Sequence, residues 1–444
     1  MNGNKNYYNF PAGYSLLQTV ILSNEYLRHP IRFITKSLDK FSGTYAASVG
    51  PSTKMIVTQN PGFINYVLKE NHKNYQKSPF ADQVAKLFGN GLLNSNGDYW
   101  LKQRRLIQPG FHKEKIHGLY ENVITAIRDF VAQFPVGKEI DIYALVQQLS
   151  FSVVIKSLFN ITLSPGMMEE IREIFTELQD FLMTDINQPW QKLFYPFTGK
   201  KTAISVQARR LRGIVVEIIR QRKASNEAFT DLLDMLLNSK YEDTGETMSE
   251  NQITDEVLIL ILAGHETTGN ALSWILYLLA SNTEKLEKLV ATFENSTIHD
   301  SLNNEYLKAV INEGMRLYPP AWMTDRIAIE DDQFGEFSFP KKTIIIPFFF
   351  GLHRDKNLWD QELKFEPGRF LTDLKLTKSK NYFPFGAGPR MCIGYNFALA
   401  EMSFFLFTFL QQFQIRVTEQ VPEMKALMTL RPDKVILNIS AIKS

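Results

Sequence analysis

FPFGAGPRMCIG, residues 383–394, holds the one cysteine of a 444-residue chain, and the fold is read outward from it. Gly386, Gly388 and Pro389 interrupt any regular helix or strand, so the stretch is a loop. Beyond Gly394 the sequence becomes an apolar run, 397–410, of helical character. Cys392 is therefore expected at or just before a helix N-terminus, where unpaired backbone N–H groups and the helix dipole favour negative charge. Such a position stabilises a thiolate, the form in which cysteine binds metal. A lone cysteine is by default a small buried hydrophobe. The pattern around this one argues otherwise.

Composition narrows the class. Hydrophobic residues make up 44%, aromatics 12% and charged residues 22%, the profile of a globular enzyme with an aromatic-rich interior. A net charge of +2 gives no overall reason to expect nucleic acid as a partner. One cysteine excludes an internal disulfide and a structural cysteine-rich zinc site, which suits a reducing cytoplasm. The opening MNGNKNYYNF lacks the basic start, apolar core and cleavage site of a signal peptide. Residues 16–22 are too short to span a bilayer, and no membrane partner is expected.

Helices are read at 24–40, 61–70 and 305–318 and a polar one at 98–108, and helical spacing of apolar residues recurs at 113–134, 141–158, 165–185 and 201–223. Strand signals flank Gly50-Pro51 and recur at 324–329 and 343–348, marking a small sheet. Residues 78–97, punctuated by Gly and Asn, read as a loop. The aromatic- and proline-rich 188–199 reads as a surface connection or lid. Residues 255–280 form the longest apolar stretch, with a polar centre from Gly264 to Asn270. An acid at mid-bilayer costs about 2.5 to 3.5 kcal/mol, so a core helix is preferred to a membrane span. Gly264 leaves room for a ligand, and a Thr267 hydroxyl turned to the backbone would loosen the helix there. His265 is read as a packed or hydrogen-bonded helix histidine.

Phe385, Gly388, Arg390, Cys392 and Gly394 match F-x-x-G-x-R-x-C-x-G and resemble the haem-binding loop of the cytochrome P450 family. Four more elements follow the family's order. They are Trp100-x-x-x-Arg104, AGHETT at 263–268, Glu313-x-x-Arg316, and FEPGRF at 365–370, which is similar to the family's P-E-R-F segment with Gly368 where Glu is common. The resemblance implies a mainly α fold with a small β subdomain and a long central helix over the haem. One catalytic domain, 1–444, is implied, its β-rich part near 41–60 and 322–350. Haem b, iron protoporphyrin IX, would be held by Cys392 as the metal ligand, with Phe385 and Gly394 shaping the loop. Trp100, Arg104, Arg390 and Arg326, seven residues after Pro319, would meet its propionates. Glu313, Arg316 and Arg369 would form a buried triad bracing the haem loop. Glu266 and Thr267 would handle protons. Leu92, Leu93, Ala263, Ala321 and Trp322 would line the substrate pocket, although Trp322, in AWMT, can equally fill core between sheet and helices.

The implied activity is that of a haem-thiolate monooxygenase acting with dioxygen on a small-molecule substrate. Its electrons would come from a ferredoxin and a ferredoxin reductase, docking where Lys102, Arg105, Lys113 and Lys115 add basic charge. Fatty-acid or terpenoid hydroxylation is one expectation. The chain also resembles the marine Bacteroidetes enzymes that oxidatively demethylate 6-O-methyl-D-galactose, a resemblance carried by no single motif. A peroxygenase is an alternative that the acid and alcohol pair argues against. A haem-based sensor would need an output domain, and an electron carrier a second axial ligand.

Overall fold

Hydrophobic spacing places most of the chain in helices and gathers its strands into four small sheets. The computed structural model describes residues 8–442 apart from 52, 162, 226, 228–230, 242 and 374, and leaves undescribed the side chains of 165 and 189. The fold is mainly α with a small β part. By backbone contacts the chain forms two compact units. One comprises Met1–Pro79, Ala321–Lys364 and Leu374–Cys392; the other comprises Phe80–Pro320, Phe365–Asp373 and Ile393–Ser444.

The first unit is built on a six-stranded sheet, ordered Gly13–Tyr14, Thr44–Ser48, Lys54–Thr58, Ile344–Pro347, Arg326–Ala328, Tyr75–Gln76. Thr44–Ser48 and Lys54–Thr58 make an antiparallel hairpin, and Met55 pairs with Ile344 in parallel. Thr44 and Thr58 lie opposite one another with hydroxyls 2.7 Å apart, a cross-strand pair suited to β-branched side chains. Ile56, Phe63, Val67, Phe339, Ile345 and Phe349 pack on the sheet, and the same cluster takes in Phe383 and Ala387. The loop that carries Cys392 is thus anchored by its own apolar residues.

In the second unit the helix Glu250–Ala280 is buried along most of its length and is capped by the Ser249 hydroxyl, which accepts from the Gln252 N–H. The apolar helix Ile142–Phe159 lies against it. That helix is long and apolar enough to cross a bilayer, and 67% of it is buried inside the protein instead. A methyl at Gly264 would meet Val154 Cγ2 at 3.0 Å, and one at Gly314 would meet Ile275 Cγ1 at 2.4 Å, so both glycines let helices approach closely. Val154 thus packs against Gly264 on that side, while Gly264 itself stays partly exposed. Phe413–Val417, Ile436–Ala441 and Gly137–Asp141 form this unit's three-stranded sheet.

Three element assignments change. Residues 78–97 are not all loop, because Phe80–Phe88 is a helix with Ala81, Val84 and Phe88 buried at helical spacing. The Gly and Asn punctuation begins only at Gly89. Residues 24–40 belong to two helices, Leu16–Arg28 and Pro30–Lys40, divided where Pro30 withholds its N–H and biases His29 away from helix. Residues 113–134 likewise divide into Lys113–His117 and Tyr120–Ala132.

Candidate active site

The cysteine loop is held by backbone geometry. Gly386 and Gly388 adopt φ of 69° and 70°, the left-handed region that a side chain disfavours. A Cβ on Gly388 would lie 1.9 Å from the Leu68 carbonyl oxygen, so only glycine lets the loop pass there. The Cys392 N–H donates to the Phe385 carbonyl at 2.9 Å, closing the loop, and the Phe383 N–H donates to His353 Nε2 at 2.8 Å. Cys392 is exposed. Gly394 is the N-cap of the helix Tyr395–Leu410, which places the thiol two residues ahead of a helix N-terminus.

The first unit also concentrates positive charge. Arg326 is 7% exposed, and its guanidinium donates to Thr324 Oγ1 and to the Asp325 carbonyl. Burial lowers the pKa of this guanidinium. Lys77 sits 3.9 Å from Asp325. Burial pulls its amine down to about 8, with Arg326 and Arg390 adding repulsion and Asp325 opposing them. Lys77 and Arg326 thus flank the Asp325 carboxylate, and Arg390 adds positive charge close to Lys77. Lys77 escaped the sequence reading because no local pattern marks it.

Ala321 is exposed, whereas Trp322 is 2% exposed and set edge-on to Phe348 with ring centroids 6.1 Å apart. The structure places Trp322 in the core of its unit. Thr324 uses its hydroxyl to accept from Arg326.

In the second unit, residues 256–276 of the central helix are buried except for Ala263, Gly264 and Thr267. Spaced i, i+1 and i+4, these make one open stripe in the middle of a core helix. Thr267 donates its hydroxyl to the Ala263 carbonyl at 2.7 Å, yet the helix runs unbroken, so the expected loosening is absent. Beside the stripe, Glu266 accepts from Gln179 Nε2 at 2.6 Å and from the Thr429 hydroxyl at 2.7 Å. His265 is bonded through Nδ1 to the Ile261 carbonyl at 2.8 Å and lies between Phe151 and Phe175; burial lowers its pKa. It is a packed histidine, as read from the sequence.

Leu92 is buried and Leu93 exposed. Two adjacent carboxylates of the central helix hold their loop. Asp255 accepts from the Asn90 N–H at 2.9 Å, and Glu256 accepts from the Leu92 N–H at 2.8 Å. Trp100 and Arg104 are partly buried on the helix Gly97–Ile107, where Arg104 Nε donates to Gln108 at 3.1 Å. Of the basic residues expected to receive a partner, Lys102 is bonded to Asp243 at 2.6 Å, while Arg105, Lys113 and Lys115 are exposed.

The triad is assembled within the second unit. Glu313 accepts from Arg316 Nε at 2.7 Å and Nη2 at 2.9 Å, from Arg369 Nε at 3.0 Å, and from the Glu366 N–H at 2.9 Å. Glu313 and Arg316 are fully buried.

Two further acids, Glu256 and Glu401, are fully buried. Burial pushes both carboxyls up to about 8 from 4.5. The folded state then keeps protons that the unfolded chain has released, so this contribution is complete below about pH 4.5 and is lost as pH rises through 8. For Glu401→Gln, the fall in unfolding free energy between pH 6 and 8 is expected to be shallower by about 1.4 kcal/mol per pH unit. Denaturant titrations of both proteins across that range measure it, and equal slopes would contradict it.

The donor set fits haem b. Among the described residues no three His, Cys, Asp or Glu side chains gather to hold a metal ion. A porphyrin supplies four nitrogens itself and asks the protein for one strong ligand, which Cys392 offers. The Lys77, Arg326 and Arg390 cluster suits its propionates.

Comparison with known proteins agrees. The family model Cytochrome P450 matches residues 11–440. Cyclooctat-9-en-7-ol 5-monooxygenase of Streptomyces melanosporofaciens is 30% identical over 399 residues, 88% of this chain and 86% of its own length. Echinocystic acid 23-monooxygenase of Saponaria officinalis is 29% identical over 442 residues, 92% and 84% of the two chains. In fold, the cytochrome P450DA heme domain matches with a TM-score of 0.89 at 20% identity, over 98% of this chain and 99% of that one.

Proposed function

Because the chain belongs to the cytochrome P450 family, we propose that it oxidises a small, hydroxyl-bearing substrate, and specifically that it O-demethylates a methylated sugar such as 6-O-methyl-D-galactose. It is a haem-b monooxygenase that uses dioxygen and redox partners. Haem b, when bound, supplies dioxygen activation and transfer of one oxygen atom to a C–H bond. Cys392 provides the thiolate ligand. Lys77, Arg326 and Arg390 would supply positive charge for the propionates, a role the resemblance also implies for Trp100 and Arg104, and Glu266 with Thr267 would handle the protons that the reaction consumes.

One observation carries the substrate reading. The polar cluster of Glu266, Gln179 and Thr429 adjoins the open stripe at Ala263, Gly264 and Thr267. Polar groups beside that stripe, though Glu266 and Thr429 are buried, are more compatible with a hydroxyl-bearing substrate than with a long alkyl chain. Trp322, being buried, offers no stacking face for a sugar. Hydroxylation of the methyl carbon would give a hemiacetal, which breaks its C–O bond to leave galactose and formaldehyde. The second oxygen atom, with two electrons and two protons, leaves as water. A ferredoxin and its reductase are the proposed electron donors, supported by exposed Arg105, Lys113 and Lys115, and the single cysteine suits a cytoplasmic setting.

Hydroxylation of a terpenoid is the second reading, favoured by the relatives named for cyclooctat-9-en-7-ol and echinocystic acid. Purified protein with a ferredoxin system would be given 6-O-methyl-D-galactose, a terpenoid alcohol and lauric acid in parallel. Formaldehyde release with the sugar is expected. Haem spin shift and hydroxylation with the terpenoid or lauric acid alone would reject the sugar reading.

A further inference from the structure

The helix centre GHETTGN, residues 264–270, ends in Gly269 and Asn270, which the proposed chemistry does not use. Asn270 is fully buried and links two elements distant in sequence. Its Oδ1 accepts from Gln147 Nε2 at 2.7 Å, and its Nδ2 donates to the Thr429 hydroxyl oxygen at 2.9 Å. Thr429 in turn donates to Glu266 at 2.7 Å. Donor and acceptor roles run one way. The Glu266 carboxylate can only accept, so the one Thr429 proton goes to it, Thr429 accepts from the Asn270 amide N–H, and the Asn270 carbonyl accepts the Gln147 N–H. Gly269 is part of the arrangement, because a Cβ there would lie 2.8 Å from the Gln147 amide.

Thr429 occupies the tip of a hairpin whose strands, Met424–Ala426 and Leu430–Pro432, are in register from Met424 opposite Pro432 to Ala426 opposite Leu430. The Leu430 N–H donates to the Pro320 carbonyl at 2.9 Å, which fixes the tip. Gln147, Gln179, Asn270, Glu266 and Thr429 all belong to the second unit.

The geometry points to Thr429 as the positioning residue of Glu266: the chain Gln147, Asn270, Thr429 fixes one carboxylate oxygen beside the open stripe while Gln179 fixes the other. Side-chain amides do not pass protons along, so the chain is a brace and not a proton wire. Its effect is on where the acid stands when a proton is needed. The inference rests on Glu266 being the proton-handling acid, and the experiment separates the two claims.

Thr429→Val keeps the shape and removes the donor; Thr429→Ser keeps the donor. Each would be made alone and together with Glu266→Gln, and Gln179→Leu would test the second donor if Thr429→Val did not fold. Two quantities would be read on protein with full haem content: product formed per electron pair consumed, and the infrared stretch of carbon monoxide on the reduced protein. Thr429→Val is expected to lower product per electron pair roughly tenfold, the equivalent of one charge-assisted hydrogen bond. It should shift the carbon monoxide stretch, and Thr429→Ser should restore both. In the Glu266→Gln background Thr429→Val should change neither. An equal loss in that background, or wild-type coupling in Thr429→Val, would overturn the brace. Wild-type coupling in Glu266→Gln alone would remove the acid's role, and the brace with it.

Discussion

Glu313→Ala is expected to lower unfolding free energy by about 3 to 5 kcal/mol and to yield mostly haem-free or aggregated protein. The carboxylate accepts four hydrogen bonds, three from guanidinium groups and one from the Glu366 backbone. Arg316 is fully buried and the Arg369 side chain is 13% exposed, so removing Glu313 takes a shared carboxylate from two guanidinium groups where little water can replace it. A typical domain is stable by only about 5 to 15 kcal/mol, which makes this loss severe. Arg369→Ala should cost less, because Glu313 keeps Arg316 and the Glu366 N–H, and the guanidinium removed is the more exposed of the two. Denaturant midpoints and haem content after purification measure the effect. A Glu313→Ala protein with normal haem and an unchanged midpoint would contradict it.

Cys392→His is expected to reduce product formation to background while the protein still binds some haem. The cation cluster and the closed loop do not depend on the sulfur, but the thiolate is the electron-rich ligand that favours O–O cleavage, and an imidazole donates less. Haem content and product yield per electron pair would be measured together. Retained turnover in Cys392→His would mean that another side chain serves the iron.

The parts legible in the sequence are those whose role is set within one turn or loop. Glu313 and Arg316 lie three apart on a helix, the glycines around Cys392 announce its loop, and the polar centre of the long apolar run at 255–280 favours core over a membrane span. Contacts between distant segments were not legible. Gln179 and Thr429 reach Glu266 across 87 and 163 residues, and no local pattern predicts such a meeting. Lys77 joins Arg326 and Arg390 only because the strand Tyr75–Gln76 pairs with Arg326–Ala328. Trp322 was legible as an unusual residue but not in its effect, because the sequence does not say which neighbour fills the space beside it. The helix Phe80–Phe88 was obscured by the glycines that follow it.

The central claim is that Cys392 presents a thiolate to haem iron. The absorption spectrum of the reduced protein under carbon monoxide tests it most directly. A strongly red-shifted Soret band, absent from Cys392→His, is the predicted result. A band at the position of histidine-ligated haem in the unmutated protein, or one left unchanged by Cys392→His, would contradict it.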